Sequence, residues 1–214
     1  MITVLIVDDH EVARAGIKYS LSALPNVQMM GEASNGLSAM QLVKELNPDV
    51  VLMDVTMPGI DGLETTRKMM ISNPQLKIII ISAMTGGPYP ARLLEAGAMG
   101  YLTKDGAFQE LAKALNTVIS GKRYIAPAIA QQLALKNVSN ESMTVFDTLT
   151  LREMQLVLLL IEGKEIQYIS DIFFVSPKTL MTYRNQIFKK LDVKNEVQLV
   201  LLAKKAQLLQ ENHY

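Results

Sequence analysis

Residues 50–64 read VVLMDVTMPGIDGLE. Four apolar residues run into an acid, Asp54, and Pro58, Gly59 and Gly62 follow closely, so a short buried strand gives way to a turn and then to a helix starting near Leu63. The same grammar recurs on both sides. Further strands are predicted over 3–7, 27–33, 77–81 and 100–102, and further helices start near Val12, Leu37, Pro90 and Phe108. Five strands alternating with five helices make an α/β fold: a five-stranded parallel, doubly wound sheet whose strands read as nearly continuous apolar runs because both faces are covered.

In such a sheet, ligands sit outside the carboxyl ends of the strands, so the residues at those ends form one candidate site. The first strand ends in Asp8-Asp9, the third in Asp54, the fourth in Ser82 and the fifth in Thr103-Lys104. Three converging carboxylates repel one another unless a cation lies among them, and a hard divalent ion, Mg²⁺ by preference, resolves the conflict. The Lys104 ammonium and the Ser82 hydroxyl suit the oxygens of a phosphoryl group carried by Asp54 as nucleophile. A single acid such as Asp61 is more simply a helix cap.

These residues resemble a known family. VLIVDDH, VVLMDVTMPGIDGLE, IIIISA and GYLTKD are similar to the receiver domain of two-component response regulators, a CheY-like, flavodoxin-like fold, over residues 1–120. The resemblance implies that Asp54 is the phosphoacceptor and that Asp8, Asp9 and the Thr56 backbone carbonyl join it in holding Mg²⁺. It implies that Lys104 contacts the phosphoryl group and that Ser82 and Tyr101 are the switch pair, the hydroxyl moving toward phosphate as the ring turns inward. The side chains of Thr56 and Met84 flank the site.

The whole chain of 214 residues is 49% hydrophobic and 20% charged, has no cysteine, and balances Lys+Arg 21 against Asp+Glu 21. Such a composition excludes global disorder, disulfides, zinc-thiolate sites and a Cys nucleophile. The leading apolar run stops at Val7, short for a signal peptide, and no run approaches the roughly 20 residues of a membrane span, so a cytoplasmic protein without a membrane partner is expected. The zero net charge is a sum of unlike parts. Residues 1–120 are net −3, residues 121–146 net +2 and residues 147–214 net +1. The middle segment, with its Gly, Pro and polar run 137–142, reads as a partly helical linker ending in a flexible stretch.

Residues 147–214 form a second domain of helices only. Thr150 followed by Glu153 is a capping-box signature, and Gly163 stops the helix it opens. A second helix covers 166–173, Ser176-Pro177 opens a third that ends near Asp192, and a fourth runs over about 195–210. At about 100° per residue, Leu180, Ile187 and Leu191 of the third helix share a buried stripe flanked by Tyr183 and Arg184, whereas Lys178, Thr182, Asn185 and Lys189 face the other way. Lys, Thr and Asn on one exposed face suit both phosphates and base edges.

LTLREMQLVLLLIEGKEIQYISDIFFVSPKTLMTYRNQIFKKLDV resembles the LuxR-type helix-turn-helix, so double-stranded DNA is the implied partner. By that resemblance 176–191 is the recognition helix, Met181, Thr182 and Asn185 face bases, and Lys178, Arg184, Lys189 and Lys190 contact phosphates. Glu196 stands where many members carry a basic residue. The fourth helix is apolar on more than one face, which implies a homodimer and paired half-sites.

Domain order and motifs are similar to the NarL/FixJ class, and the stretches PYPARLLEAGAMGYLTKDG, SGKRYIAPAIAQQLAL and SPKTLMTYRNQIFKKL resemble, within it, the GacA/UvrY/LetA regulators. That implies phosphate from a hybrid sensor histidine kinase of the BarA/GacS kind, and transcription of small RNAs that titrate a CsrA/RsmA-type repressor. The chain is then no enzyme beyond phosphoryl transfer to and hydrolysis from Asp54. Two rivals stand: an adaptor that has lost DNA binding, and a Mg²⁺-dependent phosphatase, which would carry a second Asp where Thr56 stands.

Overall fold

The computed structural model describes residues 1–57, 59–83, 88–138 and 144–206. The chain divides into two compact units between Asn137 and Val138.

The first unit alternates β1 (Ile2–Val7), α1 (Glu11–Ser22), β2 (Val27–Ala33), α2 (Gly36–Leu46), β3 (Val50–Met53), α3 (Gly62–Ser72), β4 (Lys77–Ser82), α4 (Tyr89–Glu95), β5 (Gly100–Thr103) and α5 (Ala107–Ile119). The sheet is parallel throughout in the order β2-β1-β3-β4-β5, and it continues one strand further than the sequence predicted. Tyr124–Ile125, inside the segment read as a linker, forms β6 and pairs with β5 (Gly100↔Tyr124, Tyr101↔Ile125). The five-stranded count is thus corrected to six. Two residues are too few to show a period, but backbone groups on the β5 edge find partners in them. After β6 comes α6 (Pro127–Val138).

Each face of the sheet has its own cover. Val4, Ile6, Val50, Leu52, Ile79 and Ile81 pack with Ile17 and Leu21 of α1 and with Leu111, Leu115 and Val118 of α5. The alternate residues Leu5, Val51, Met53, Ile78 and Ile80 are equally buried, as strands enclosed on both sides require.

The second unit opens with a 3₁₀ turn (Val145–Thr148) and continues as α7 (Leu151–Ile161), α8 (Ile166–Phe173), α9 (Pro177–Lys190) and α10 (Glu196–Lys205). The predicted box is present: Thr150 N–H donates to Glu153 Oε2 (2.9 Å), and Glu153 N–H donates to Thr150 Oγ1 (3.2 Å). Met154 and Val157 of α7, Ile169 and Phe173 of α8, Leu180 and Ile187 of α9 and Leu199 of α10 make the core. Phe174 turns the chain between α8 and α9 in the left-handed region (φ 52°) with its ring exposed. Ser176 caps α9 by accepting from Thr179 N–H (3.1 Å), with Pro177 in the first turn. The sequence expectations for Met84, for most of the polar run 137–142 and for 207–210 of the fourth helix fall outside the described residues.

Candidate functional site

The strand order reverses between β1 and β3, and there the chain places its acids. Val7 pairs with Met53, so Asp8 and Asp54 leave the sheet side by side. Ladder bonds carry both one residue beyond the strands, Asp8 N–H to Ala33 O (3.1 Å) and Asp54 N–H to Val7 O (2.7 Å). Across the sheet Ser82 pairs with Thr103, which brings Lys104 next in line. Gly62 lets the start of α3 close under this loop, since a Cβ there would press on the Asp54 carbonyl and lie 2.7 Å from Val55 Cα. Asp61, as the simpler reading held, caps α3 by accepting from Glu64 N–H.

The side chains converge. Lys104 Nζ donates to Asp8 Oδ2 (2.9 Å) and Asp54 Oδ2 (3.0 Å); Val55 N–H donates to Asp54 Oδ1 (2.7 Å), and the Thr56 hydroxyl stands 3.3 Å from Asp54 Oδ2. Asp8 and Asp54 are buried. Burial pushes the Asp54 carboxyl up to about 6 despite Lys104, with the Asp8 charge adding to the rise. Burial also raises Asp9. For Lys104 burial opposes the charged form, but Asp54 and Asp8 outweigh it and hold the ammonium above its usual range. Lys104 therefore bridges the two buried carboxylates, Asp8 and Asp54.

His10, which the sequence reading passed over, belongs to this group. Its backbone N–H donates to Asp8 Oδ1 (2.8 Å), and its Nδ1 lies 2.9 Å from Asp9 Oδ1. Carboxylate and imidazole atoms of Asp8, Asp9, His10 and Asp54 lie within 4.8 Å of one another. Asp9 Oδ1 is buried and, although His10 Nδ1 lies beside it, accepts no well-aligned hydrogen bond among the described residues. A buried, weakly satisfied oxygen among three carboxylates suits a hard divalent cation. The position after two aspartates was the available signal for His10; its return toward Asp9 is a property of the loop. Arg14, also unremarked, fixes the loop by donating to Asp8 O (2.8 Å).

Ser82 and Tyr101 are both buried, the ring lying inward. Burial pushes the Tyr101 phenol above its usual range, against a hydrogen bond with Ser82. A cavity of about 570 Å³ lined by Asp8, Thr56 and Lys104 extends along Val12 and Ile17 of α1 and Leu111 of α5.

In the second unit Met181, Thr182, Asn185 and Lys189 are exposed on α9 together with Lys178. The other two expected cations are engaged: Lys190 Nζ donates to Glu153 (2.6 and 2.9 Å), and Arg184 Nε donates to Glu196 Oε1 (2.7 Å). Arg184 lies over the Phe188 ring, 4.3 Å from its centroid, so it flanks the buried stripe as the helical spacing predicts.

Residues 4–116 match the family model of the response regulator receiver domain, and residues 147–203 match that of bacterial regulatory proteins of the luxR family. The response regulator GacA of Pseudomonas syringae pv. syringae is 47% identical over 204 residues, 95% of each chain. The response regulator UvrY of Escherichia coli is 45% identical over 204 residues, 95% of this chain and 94% of that one. Among solved structures, a LuxR-family two-component response regulator from Aurantimonas superposes with TM-score 0.62 at 34% identity, over 64% of this chain and 97% of that one. The response regulator RcsB in its DNA complex shares the fold with TM-score 0.61 at 24% identity, over 95% of this chain and 98% of that one. With both family models matched in this order and full-length relatives at such identity, the chain belongs to the two-component response regulators, transcription regulators that carry a receiver domain ahead of a LuxR-type DNA-binding domain.

Proposed function

We propose that Asp54 is the phosphoacceptor through which a sensor histidine kinase, of the hybrid BarA/GacS kind, controls dimerisation and sequence-specific DNA binding. The observation that carries this is the buried Asp54 carboxylate, held 3.0 Å from a lysine that also grips Asp8. A carboxylate oxygen of Asp54 attacks phosphorus, and the bond from phosphorus to the donor histidine breaks, its electron pair leaving with the imidazole. Lys104 stays protonated and follows the transferred oxygens. Asp8, Asp9 and Asp54, with the Thr56 carbonyl, would hold Mg²⁺, which when bound screens charge gathering on the phosphoryl group. Ser82 and Tyr101 report its arrival.

In the cytoplasm the phosphorylated protein then pairs through α10, whose Val197 and Leu201 are exposed four residues apart. It reads a promoter with Met181, Thr182 and Asn185, while Lys178 and Lys189 contact phosphates. Likeness to GacA and UvrY supports small regulatory RNAs of a CsrA/RsmA-type circuit as the output. No turnover of outside substrates is part of this reading.

The test combines labelled phosphoryl transfer with a genome-wide footprint, each with and without a small-molecule phosphodonor. Wild type should take label and change its footprint, and Asp54→Ala should do neither. Undiminished labelling of Asp54→Ala would overturn the site, and a footprint indifferent to phosphodonor would overturn the switch.

A further inference from the structure

His10 begins α1 without capping it. It holds the N-cap position in extended backbone (φ −88°, ψ 115°), where Ser, Thr, Asp and Asn are preferred because their side chains accept from the first free amides, yet its own side chain makes no such bond. The ring turns back over the acids instead. Nδ1 lies 2.9 Å from Asp9 Oδ1 and 3.4 Å from Asp8 Oδ1, and the side chain is otherwise open to solvent. The loop that carries it is held at both ends, since His10 N–H donates to Asp8 Oδ1 and Arg14 Nη1 donates to Asp8 O, each at 2.8 Å.

A separation of 2.9 Å between a ring nitrogen and a carboxylate oxygen is ordinarily a hydrogen bond, but Asp9 Oδ1 accepts none that is well aligned among the described residues. Two such atoms stand this close without sharing a proton when both are aimed at a third centre. An octahedral ion with bonds of about 2.1 Å puts neighbouring ligand atoms about 3.0 Å apart and opposite ones about 4.2 Å apart. In that arrangement each lone pair is turned about 45° away from the neighbouring ligand atom, too far for a good hydrogen bond. The two separations from Nδ1 bracket the shorter of these values, and one ligand atom each from Asp8, Asp9, His10 and Asp54 fall within 4.8 Å of one another, near the longer.

Resting on the metal site proposed above, we infer that His10 Nδ1 is a further ligand of the divalent ion and that it turns the site from Mg²⁺ toward Mn²⁺. Carboxylate and carbonyl oxygens serve both ions, so the acids alone do not separate them. An imidazole nitrogen strengthens binding of first-row transition ions and adds little for Mg²⁺, which keeps to oxygen. Mn²⁺ is the first-row ion that shares the oxygen preference of three carboxylates and also gains from the nitrogen.

The test titrates the full-length chain with Mn²⁺ and with Mg²⁺ by calorimetry, and records pulsed electron paramagnetic resonance of the Mn²⁺ complex, for wild type, His10→Ala and Asp9→Asn. Wild type should show modulation from a coordinated imidazole nitrogen, and His10→Ala should lack it. The ratio of Mn²⁺ to Mg²⁺ affinity should fall in His10→Ala by about tenfold or more, the loss that follows removal of a residue merely supporting a ligand. Asp9→Asn should weaken both ions alike, which separates loss of a shared acid from loss of the nitrogen. Should His10→Ala fail to fold, His10→Asn, which offers α1 a cap and the metal an oxygen, takes its place. Wild type without nitrogen modulation, modulation that survives loss of His10, or an unchanged affinity ratio overturns the inference. A wild type that binds neither ion removes the metal site proposed above, and the inference with it.

Discussion

Lys104 is the only lysine or arginine that the structure brings into contact with the carboxylates of Asp8 and Asp54 among the described residues. Replacing it by Met leaves two buried carboxylates facing each other without a counter-charge and removes a charge-assisted donor to the phosphoryl group. Labelling of Asp54 should slow by about tenfold or more, since a hydrogen bond to a charged group contributes about 1.5–3 kcal/mol; a rate equal to wild type would show the lysine to be dispensable. Mg²⁺ removal by chelator should likewise stop labelling from a small-molecule phosphodonor. Most of this site was legible because Asp8-Asp9, Asp54, Ser82 and Lys104 lie at the ends of four strands of one parallel sheet, and strands announce their ends by an abrupt change from apolar to polar or charged. His10 and Arg14 were not, because their roles depend on how the loop after β1 folds back, which no periodicity records.

At the level of elements, helix starts were the most readable features. Thr150 and Ser176 were identified as caps from sequence and act as such. Thr150→Ala should lower stability by about 1 kcal/mol, measured by thermal unfolding. The partner in that box, Glu153, also receives Lys190, and although burial works the other way, the hydrogen bonds from Lys190 and Thr150 hold its carboxyl below the usual range. A depressed folded-state value contributes stability above the unfolded value of 4.5 and loses it as pH falls through the folded one. Unfolding temperatures recorded from pH 7 downward should therefore drop more steeply below about 4.5 in wild type than in Glu153→Gln; parallel curves would refute the linkage. The apolar second face of the last helix was also legible, and Leu201→Glu there should weaken self-association in sedimentation while leaving Asp54 labelling intact. The sixth strand escaped notice because a two-residue strand is defined by its neighbour, β5, and by nothing in its own pattern.

For the molecule as a whole, the cancelling charges carry a measurable consequence. Of the four cations expected on α9, Lys190 and Arg184 have carboxylate partners within their own unit, which leaves Lys178 and Lys189 for DNA phosphates. A dimer using two from each copy should show a slope of log affinity against log salt near about −3.6, and engagement of all four would roughly double it. Titrations at several salt concentrations separate these outcomes, and an insensitive interaction would favour the adaptor reading. The boundary at 120 suggested by composition carries a different consequence. Tyr124 N–H donates to Met99 O and Ala126 N–H to Tyr101 O, both at 2.9 Å, so the segment after 120 finishes the sheet. A receiver cut at 120 would carry a raw flank, a row of unmet carbonyls and amides ready to recruit a foreign strand. Light scattering should find such a fragment sticking to itself where a fragment ending at 137 stays dispersed. The short strand beside Tyr101 would then be a guard against misassembly, sewn to the residue proposed to sense phosphate.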